Sequence, residues 1–386
     1  MAGISSLHRP ERRLRSRRRI RHLAIFTAVF AVQFGLFEMG LRVWGSSEAA
    51  PAFQGLFEGD PSIGYRLRPG ARTRFATAEF ETDIAINNAG VRDDEALDAK
   101  VPGERRIVLL GDSLVLSVQV PLNQTFGELL EHRLNSNANG ARYRVVNAGV
   151  QGYGPVEEAL FFEKFGEALQ PDLVLVIVFV GNDAEEALRS ASKFGGESPG
   201  GLATARQTIH TGLRRLVRRS MVLQILRLRG RTVLERLGFS FTPPEPPLQS
   251  YVAKPAPRIG EGLAIAREAL ERIVASASGL GARTAIVLMP ARFQIDDGDY
   301  GRLKAIVAEA GGELVRDAAT HRFDGALDRV LVPRLDLLHA LRAALPGPDL
   351  FFQANVHLTP RGHQVVAHAL ADFIRQHGLL EQEHDR

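Results

Sequence analysis

Eight consecutive apolar residues, from Leu173 to Val180, constrain the fold more than any other feature of the sequence. A strand can be apolar on both sides only where helices cover both faces of its sheet, as they do in parallel α/β sheets. Shorter apolar runs lie at 107–110 and 284–289, and segments with helical spacing separate the runs. The pattern predicts a three-layer α/β/α sandwich with a mainly parallel, flavodoxin-like sheet.

The predicted elements alternate along residues 105–376, which we take as the main domain. Ahead of it, residues 45–104 are predicted to be a linker followed by a β-ribbon, because glycine and asparagine turns separate short alternating stretches. Residues 377–386 are predicted to be a tail. The apolar runs and helical spacings give the predicted bounds: strands at 107–110, 143–146, 173–180, 284–289 and 330–332, and helices at 125–134, 156–165, 259–278, 300–311 and 360–376.

The N-terminus has the composition of a membrane anchor. Residues 1–22 contain eight arginines and one glutamate, and the apolar stretch 23–43 that follows is long enough to cross a bilayer as a helix. Because no convincing cleavage site follows, we predict an uncleaved, single-pass signal anchor in the inner (cytoplasmic) membrane. The arginine tail then stays in the cytoplasm and the rest of the chain is exported. The alternative is a soluble amphipathic helix with a basic arm.

Charge and composition exclude several functions. The net charge of +4 comes from the arginine tail, and the remainder of the chain is slightly acidic, which argues against a nucleic-acid partner. The chain has no cysteine, so disulfides and thiolate nucleophiles are excluded. Histidines and carboxylates do not recur at metal-ligand spacings, and the sequence therefore predicts neither a metal nor a cofactor.

Residues 184–258 interrupt the alternation of strands and helices and predict a lid-like helical insertion. Their segment 213–229 alternates basic and apolar residues at helical spacing. One interpretation is a cationic amphipathic helix that lies against anionic lipid or an acidic glycan. The other is a solvated helix whose apolar side covers the sheet.

Four polar loops follow predicted strands or precede the last helix. The carboxyl ends of parallel strands meet at one edge of a sheet, where ligands bind, so a serine in such a loop can act as a nucleophile. Other polar residues of these loops have structural explanations: we expect Asp112 to fix a turn, Asp183 to cap a helix together with Glu186, and His363 to be structural. The loops are Gly111 to Leu114, Asn147 to Gly152, Gly181 to Asp183 and His357 to His363.

These blocks resemble those of the SGNH (GDSL-type) hydrolases, a family named after a serine, a glycine, an asparagine and a histidine. The resemblance covers about residues 105–376 and implies Ser113 as the nucleophile and His357 as its base. It also implies an oxyanion hole made by the backbone N–H groups of Ser113 and Gly152 and by the side-chain amide of Asn182. Such donors are aimed where negative charge develops during attack on an ester.

The acid of the triad is missing. Members of the family usually have an aspartate two or three residues before the catalytic histidine, and here these positions hold Asn355 and Ala354. Asn355 could accept the Nδ1 proton of His357 through its carbonyl oxygen, and by position we rank it first. A backbone carbonyl or Asp349 of the same loop could do so instead. The remaining alternative is that catalysis is lost and the pocket only binds.

The resemblance implies an extracytoplasmic serine esterase that cleaves O-acyl esters, on carbohydrate or lipid of the cell envelope, through a Ser113 acyl-enzyme. An O-acyltransferase would use the same nucleophile and pass the acyl group to a sugar hydroxyl. A binding pseudoenzyme would keep the pocket without turnover. The anchor and the turn at 87–93 resemble membrane-bound bacterial members of the family, so the expected partners are an acyl ester and the membrane.

Overall fold

The computed structural model describes Gln33 and residues 55–136, 141–194, 247–346, 349–353 and 355–381. The chain divides into two compact units, and every element described below lies in the second, Ala49–Gly196 with Pro243–Arg386. Among the described residues, no helix is both long and apolar enough to cross a membrane. The predicted anchor at 23–43, apart from Gln33, lies outside the described residues, as do residues 195–246 of the predicted insertion with their segment 213–229.

Two antiparallel hairpins precede the main sheet and correspond to the predicted β-ribbon. Strands β1 (Phe57–Asp60) and β2 (Gly64–Leu67) form the first, and β3 (Arg72–Ala76) and β4 (Glu81–Ala85) form the second. Their buried side chains, among them Ile84, join the hydrophobic cluster that covers one face of the main sheet.

Five parallel strands form the main sheet, in the order β6-β5-β7-β8-β9. Alternate residues of each central strand enter two different hydrophobic clusters, one on each face of the sheet. In β7, for example, Val176 faces one cluster and Leu175 the other, which is why the strand reads as a continuous apolar run. The strands are β5 (Glu104–Gly111), β6 (Arg142–Gly149), β7 (Leu173–Phe179), β8 (Arg283–Met289) and β9 (Arg334–Asp336).

Helices cover both faces, so the predicted mainly parallel sheet between two helical layers is confirmed. The first hydrophobic cluster includes residues of α3, α4 and α5, and the second includes residues of α2, α9 and α10. The helices are α1 (Ser113–Leu116), α2 (Phe126–Ser136), α3 (Pro155–Leu169), α4 (Asp183–Phe194), α5 (Pro257–Gly279), α6 (Arg292–Ile295), α7 (Asp297–Glu309), α8 (Ala318–Ala326), α9 (Leu337–Ala343) and α10 (Pro360–Gln376).

The last strand does not lie where the sequence predicts it. The apolar run at 330–332 is a connection in which the Leu331 side chain is 94% exposed, and pairing with β8 begins only at Arg334. Pro333 has no backbone N–H to donate to a ladder, so the strand starts after it. The prediction of a strand at 330–332 is therefore wrong, and the strand begins four residues later, at Arg334.

Candidate active site

The predicted nucleophile Ser113 is the first residue of α1, directly after β5. The Asp112 carboxylate accepts a hydrogen bond of 2.8 Å from the Leu114 N–H and caps the helix, as the sequence predicts. The first N–H groups of a helix have no partner within the helix and carry partial positive charge. Ser113 thus stands at a helix N-terminus with its own backbone N–H available for an anion.

The loop that holds Gly152 packs closely against this helix. A Cβ atom at Gly149 would lie 2.4 Å from the Leu116 nitrogen, so β6 can approach α1 only through a glycine. Gly152 has a φ of +75°, a conformation that favours glycine. The Tyr65 hydroxyl donates a hydrogen bond of 2.7 Å to the carbonyl of Gln151 and fixes this loop from the first hairpin.

Asn182 lies between the end of β7 and the start of α4. Its carbonyl accepts the Glu186 N–H at 2.8 Å, which is the first bond of the helix. The prediction that Asp183 caps this helix is wrong, because the Asp183 Oδ2 accepts the N–H of Phe179 at 2.8 Å instead. Ser113, Gly152 and Asn182 therefore all follow the carboxyl ends of adjacent strands.

His357 lies in the loop before α10, and its contact with Asn355 fixes its protonation. The Asn355 Oδ1 is 3.1 Å from the His357 Nδ1 and also accepts the His357 backbone N–H at 2.9 Å. An amide oxygen only accepts, so Nδ1 carries the proton and Nε2 has a free lone pair. The buried Nε2 has no hydrogen-bond partner in the described part of the chain. Burial lowers the pKa of His357 from 6.5 to about 4.

Asp349, the alternative acid, makes a different contact. Its side chain is exposed, and its Oδ2 accepts a hydrogen bond of 3.1 Å from the Gln353 amide. Phe351 and Leu358 of the same loop belong to the hydrophobic cluster that also includes Leu114, the residue after Ser113. His363 has the predicted structural position: it is 2% exposed and its Nδ1 accepts the Phe126 N–H at 3.1 Å.

Buried carboxyl groups surround the loops of Ser113 and Asn182. Asp112, Glu158 and Asp183 are at most 5% exposed, and neither side-chain oxygen of Glu158 has a hydrogen-bond partner among the described residues. Burial, followed by repulsion from neighbouring carboxylates, raises the pKa of Glu158 and of Asp183 well above their ordinary values. Burial also raises the pKa of Asp112 to about 6, and burial with the Asp112 charge raises that of Glu186 to about 8.

Residues that precede the main sheet contact the segment after Ser113 and the loop of His357. The sequence did not predict these contacts. The buried Arg92 guanidinium donates to the carbonyls of Leu116, at 2.8 Å, and Val120, at 2.7 Å, at the end of the nucleophile helix. The Glu79 Oε1 accepts the N–H of Gln353, in the histidine loop, at 2.7 Å. No local pattern could reveal these contacts, since the partners are 24 to 274 residues apart in sequence.

Metal chemistry finds no support within the described ranges, where no group of three His, Asp or Glu side chains is arranged to hold a metal ion. Ser113, Gly152 and Asn182 follow the ends of adjacent strands at one edge of the sheet, and His357, whose Nε2 is free, lies in the loop before α10. These groups can supply a nucleophile, a base and hydrogen-bond donors for an oxyanion.

No protein-family model matches the chain, and no curated protein matches it. Solved structures do. The chain resembles the SGNH hydrolases. TesA is 12% identical, with a TM-score of 0.39, and the match covers 70% of this chain and 99% of that one. The corresponding values are 15%, 0.39, 72% and 97% for LAE5, an α/β hydrolase from the metagenome of Lake Arreo.

Axe2, an acetylxylan esterase from Geobacillus stearothermophilus, is 13% identical, with a TM-score of 0.38 over 70% of this chain and 94% of that one. At TM-scores below 0.5, these likenesses carry no argument about the reaction.

Proposed function

We propose that this chain is an extracytoplasmic serine esterase that cleaves O-acyl esters. The observation that carries the proposal is the contact between Asn355 and the Nδ1 of His357, which leaves Nε2 unprotonated and without a partner. A histidine in this tautomer can take a proton from a hydroxyl. Ser113, at the helix N-terminus of the same sheet edge, is the hydroxyl that we assign.

The reaction then proceeds in two balanced steps. Ser113 Oγ attacks the ester carbonyl carbon while His357 Nε2 takes the hydroxyl proton, and the negative charge forms on the carbonyl oxygen. The backbone N–H groups of Ser113 and Gly152 and the amide of Asn182 stabilise that charge. His357 returns the proton to the alcohol as the C–O bond breaks. Water, activated by the same histidine, then releases the acid from Ser113.

Asn355 is a positioning residue in this scheme. It holds the imidazole in the productive tautomer but brings no negative charge to the imidazolium that forms during attack. In a serine protease, exchanging the orienting carboxylate for its amide lowers turnover roughly 10⁴-fold, through the wrong tautomer. Here the amide oxygen faces Nδ1, so the tautomer is kept and only the charge is missing. We therefore expect a slow enzyme.

The test is labelling of the full-length protein with a fluorophosphonate, together with hydrolysis of p-nitrophenyl acetate. We expect labelling and hydrolysis in the wild-type protein and neither in Ser113→Ala, whereas Ser117→Ala, the nearest other serine, should keep the label. Labelling that persists in Ser113→Ala would contradict the assignment. Absence of labelling in the wild-type protein would favour the binding pseudoenzyme, and acylated sugar among the products would favour the acyltransferase.

The location outside the cytoplasm belongs to the same proposal and rests on the sequence of residues 1–43. A reporter that is active only in the periplasm, fused after Arg386, should be active, and the full-length protein should sediment with inner membranes. A full-length product in the soluble fraction would contradict the uncleaved anchor.

A further inference from the structure

An apolar cavity of about 360 Å³ is lined in part by neighbours of the candidate catalytic residues. Gly181, which precedes Asn182, and Asn355, which contacts His357, both border it. The remaining wall is mainly hydrocarbon and aromatic, with Phe179, Leu248, Tyr251, Phe293, Leu303 and Val356 among its residues. The cavity thus adjoins both the oxyanion side and the histidine side of the site.

The phenol of Tyr251 and the charged groups of the wall have partners within the protein. The Tyr251 hydroxyl donates a hydrogen bond of 3.0 Å to Gln294, and the Tyr251 ring meets Phe293 edge-on at 4.6 Å. The three charged residues of the wall pair with one another, because Asp299 Oδ2 lies 2.6 Å from Arg292 Nε and Asp299 also forms an ion pair with Arg302. A sugar would lose hydrogen bonds to water on entering such a space, and a hydrocarbon chain would lose none.

The contacts also keep this wall in a fixed place relative to His357. Arg292 donates hydrogen bonds of 2.7 and 2.8 Å to the carbonyls of Phe352 and Gln353, which belong to the histidine loop. On the other side, a Cβ atom at Gly181 would lie 2.7 Å from the Phe179 ring, so the ring can cover this corner only because the residue is glycine.

We propose that this cavity binds the acyl chain of the substrate and selects unbranched acyl groups longer than acetyl, an inference that rests on the proposed esterase function. The alcohol oxygen must leave beside the His357 Nε2, which protonates it. Asn355 contacts the opposite edge of the imidazole, at Nδ1. The cavity therefore lies away from the leaving group, where the chain attached to the carbonyl carbon extends.

The first measurement is kcat/KM of the full-length protein for p-nitrophenyl esters from acetyl to dodecanoyl. Burial of each methylene group should raise kcat/KM roughly fourfold until the cavity is full. A parallel series varies the alcohol and keeps the acyl group constant, and it should show no such increase. An increase with the alcohol alone, or the same kcat/KM for all acyl chains, would overturn the proposal.

Two variants test the wall directly. Leu303→Trp should fill the cavity and lower kcat/KM for the octanoyl ester at least roughly tenfold more than kcat/KM for the acetyl ester. Ile306→Trp is the matched control, because Ile306 is on the same helix but is 46% exposed and does not line the cavity. Phe293→Ala should enlarge the cavity and move the preference to longer chains.

The outcomes separate this proposal from the esterase function itself. Fluorophosphonate labelling of Ser113 with an equal loss on both esters in Leu303→Trp would overturn the acyl assignment and leave the esterase standing. Absence of labelling and of hydrolysis in the wild-type protein would overturn both. Retained chain-length preference in a well-folded Leu303→Trp variant would also contradict the assignment of this cavity.

Discussion

The two sides of the candidate site, the loops of Ser113 and Asn182 on one hand and the loop of His357 on the other, differ in their acidic side chains. Four buried or nearly buried carboxyl groups, those of Asp112, Glu158, Asp183 and Glu186, lie under the loops of Ser113 and Asn182. In the loop of His357, the side chain that contacts the imidazole is an amide, that of Asn355. The difference is that burial favours the neutral form of the acids on one side, whereas on the other side an amide and not an acid contacts the histidine.

Protonation explains why so many acids are tolerated beneath an oxyanion hole. Burial raises the pKa of Glu158 and of Asp183 well above the ordinary range and that of Glu186 to about 8, so folding favours the neutral form of these carboxyl groups. Ionised, they would repel the charge that forms on the substrate. The exposed side chain of Arg189 forms an ion pair with Glu186, at a distance of 3.7 Å.

One substitution, asparagine to aspartate, should have opposite effects on the two sides. The largest change is expected from Asn182→Asp, which removes an oxyanion donor and adds a charge to the side that already holds the acids. Turnover of p-nitrophenyl acetate should fall by roughly 10² to 10³ or more. Asn182→Ala, which removes the donor alone, should cost roughly 10². Wild-type turnover in both variants would mean that Asn182 is not part of the oxyanion hole.

Asn355→Asp should act in the other direction. The carboxylate is nearly isosteric with the amide and would supply the charge that stabilises the imidazolium, so we expect turnover to rise at least roughly tenfold. Asp349→Ala is the control and should have little effect, because Asp349 contacts Gln353 and not His357. Ala354→Asp tests the other spacing. Lower activity in Asn355→Asp together with loss of activity in Asp349→Ala would assign the acid to Asp349.

Sequence patterns predicted the central features of the fold and the positions of the candidate residues. The apolar runs gave the four central strands because burial on both faces leaves an unbroken signal, and the loops after them follow from the topology. The position of Asn355, two residues before His357, already indicates that these two side chains are in contact. Contacts between residues so close in sequence can be predicted, because the short backbone segment between them has few possible conformations.

The buried carboxyl groups near Ser113 and Asn182, which form the acid-rich side of the site, could not be predicted from local sequence. Glu157 and Glu158 follow a proline and look like ordinary acidic residues of a first helical turn, where the helix dipole favours them. Whether such a carboxyl is exposed or meets Asp112 and Asp183 depends on packing between three loops. The same limit applies to Arg92, whose three carbonyl partners come from a separate part of the chain.

The acid-rich side also predicts how stability varies with pH. The pKa of Glu186 rises from 4.5 to about 8 on folding, so between these values the unfolded chain releases the proton first and the free energy of unfolding falls as pH rises. The Tm of the wild-type protein should therefore fall between pH 5 and 8. In Glu186→Gln this fall should be smaller by a few degrees (about 2–4 °C per kcal/mol). Glu268→Gln, at an exposed position, is the control. A decrease identical to wild type would show that Glu186 is ionised in the folded protein.

The pH dependence of kcat/KM for wild-type and Asn355→Asp enzyme tests the central claim, that a neutral amide orients His357. The acid limb of this profile reports the essential base of the free enzyme. We predict a wild-type limb near the lowered pKa of about 4. In Asn355→Asp it should move upward by roughly one unit or more, because a carboxylate beside Nδ1 favours the charged imidazolium. Superimposable limbs in the two enzymes would contradict the account.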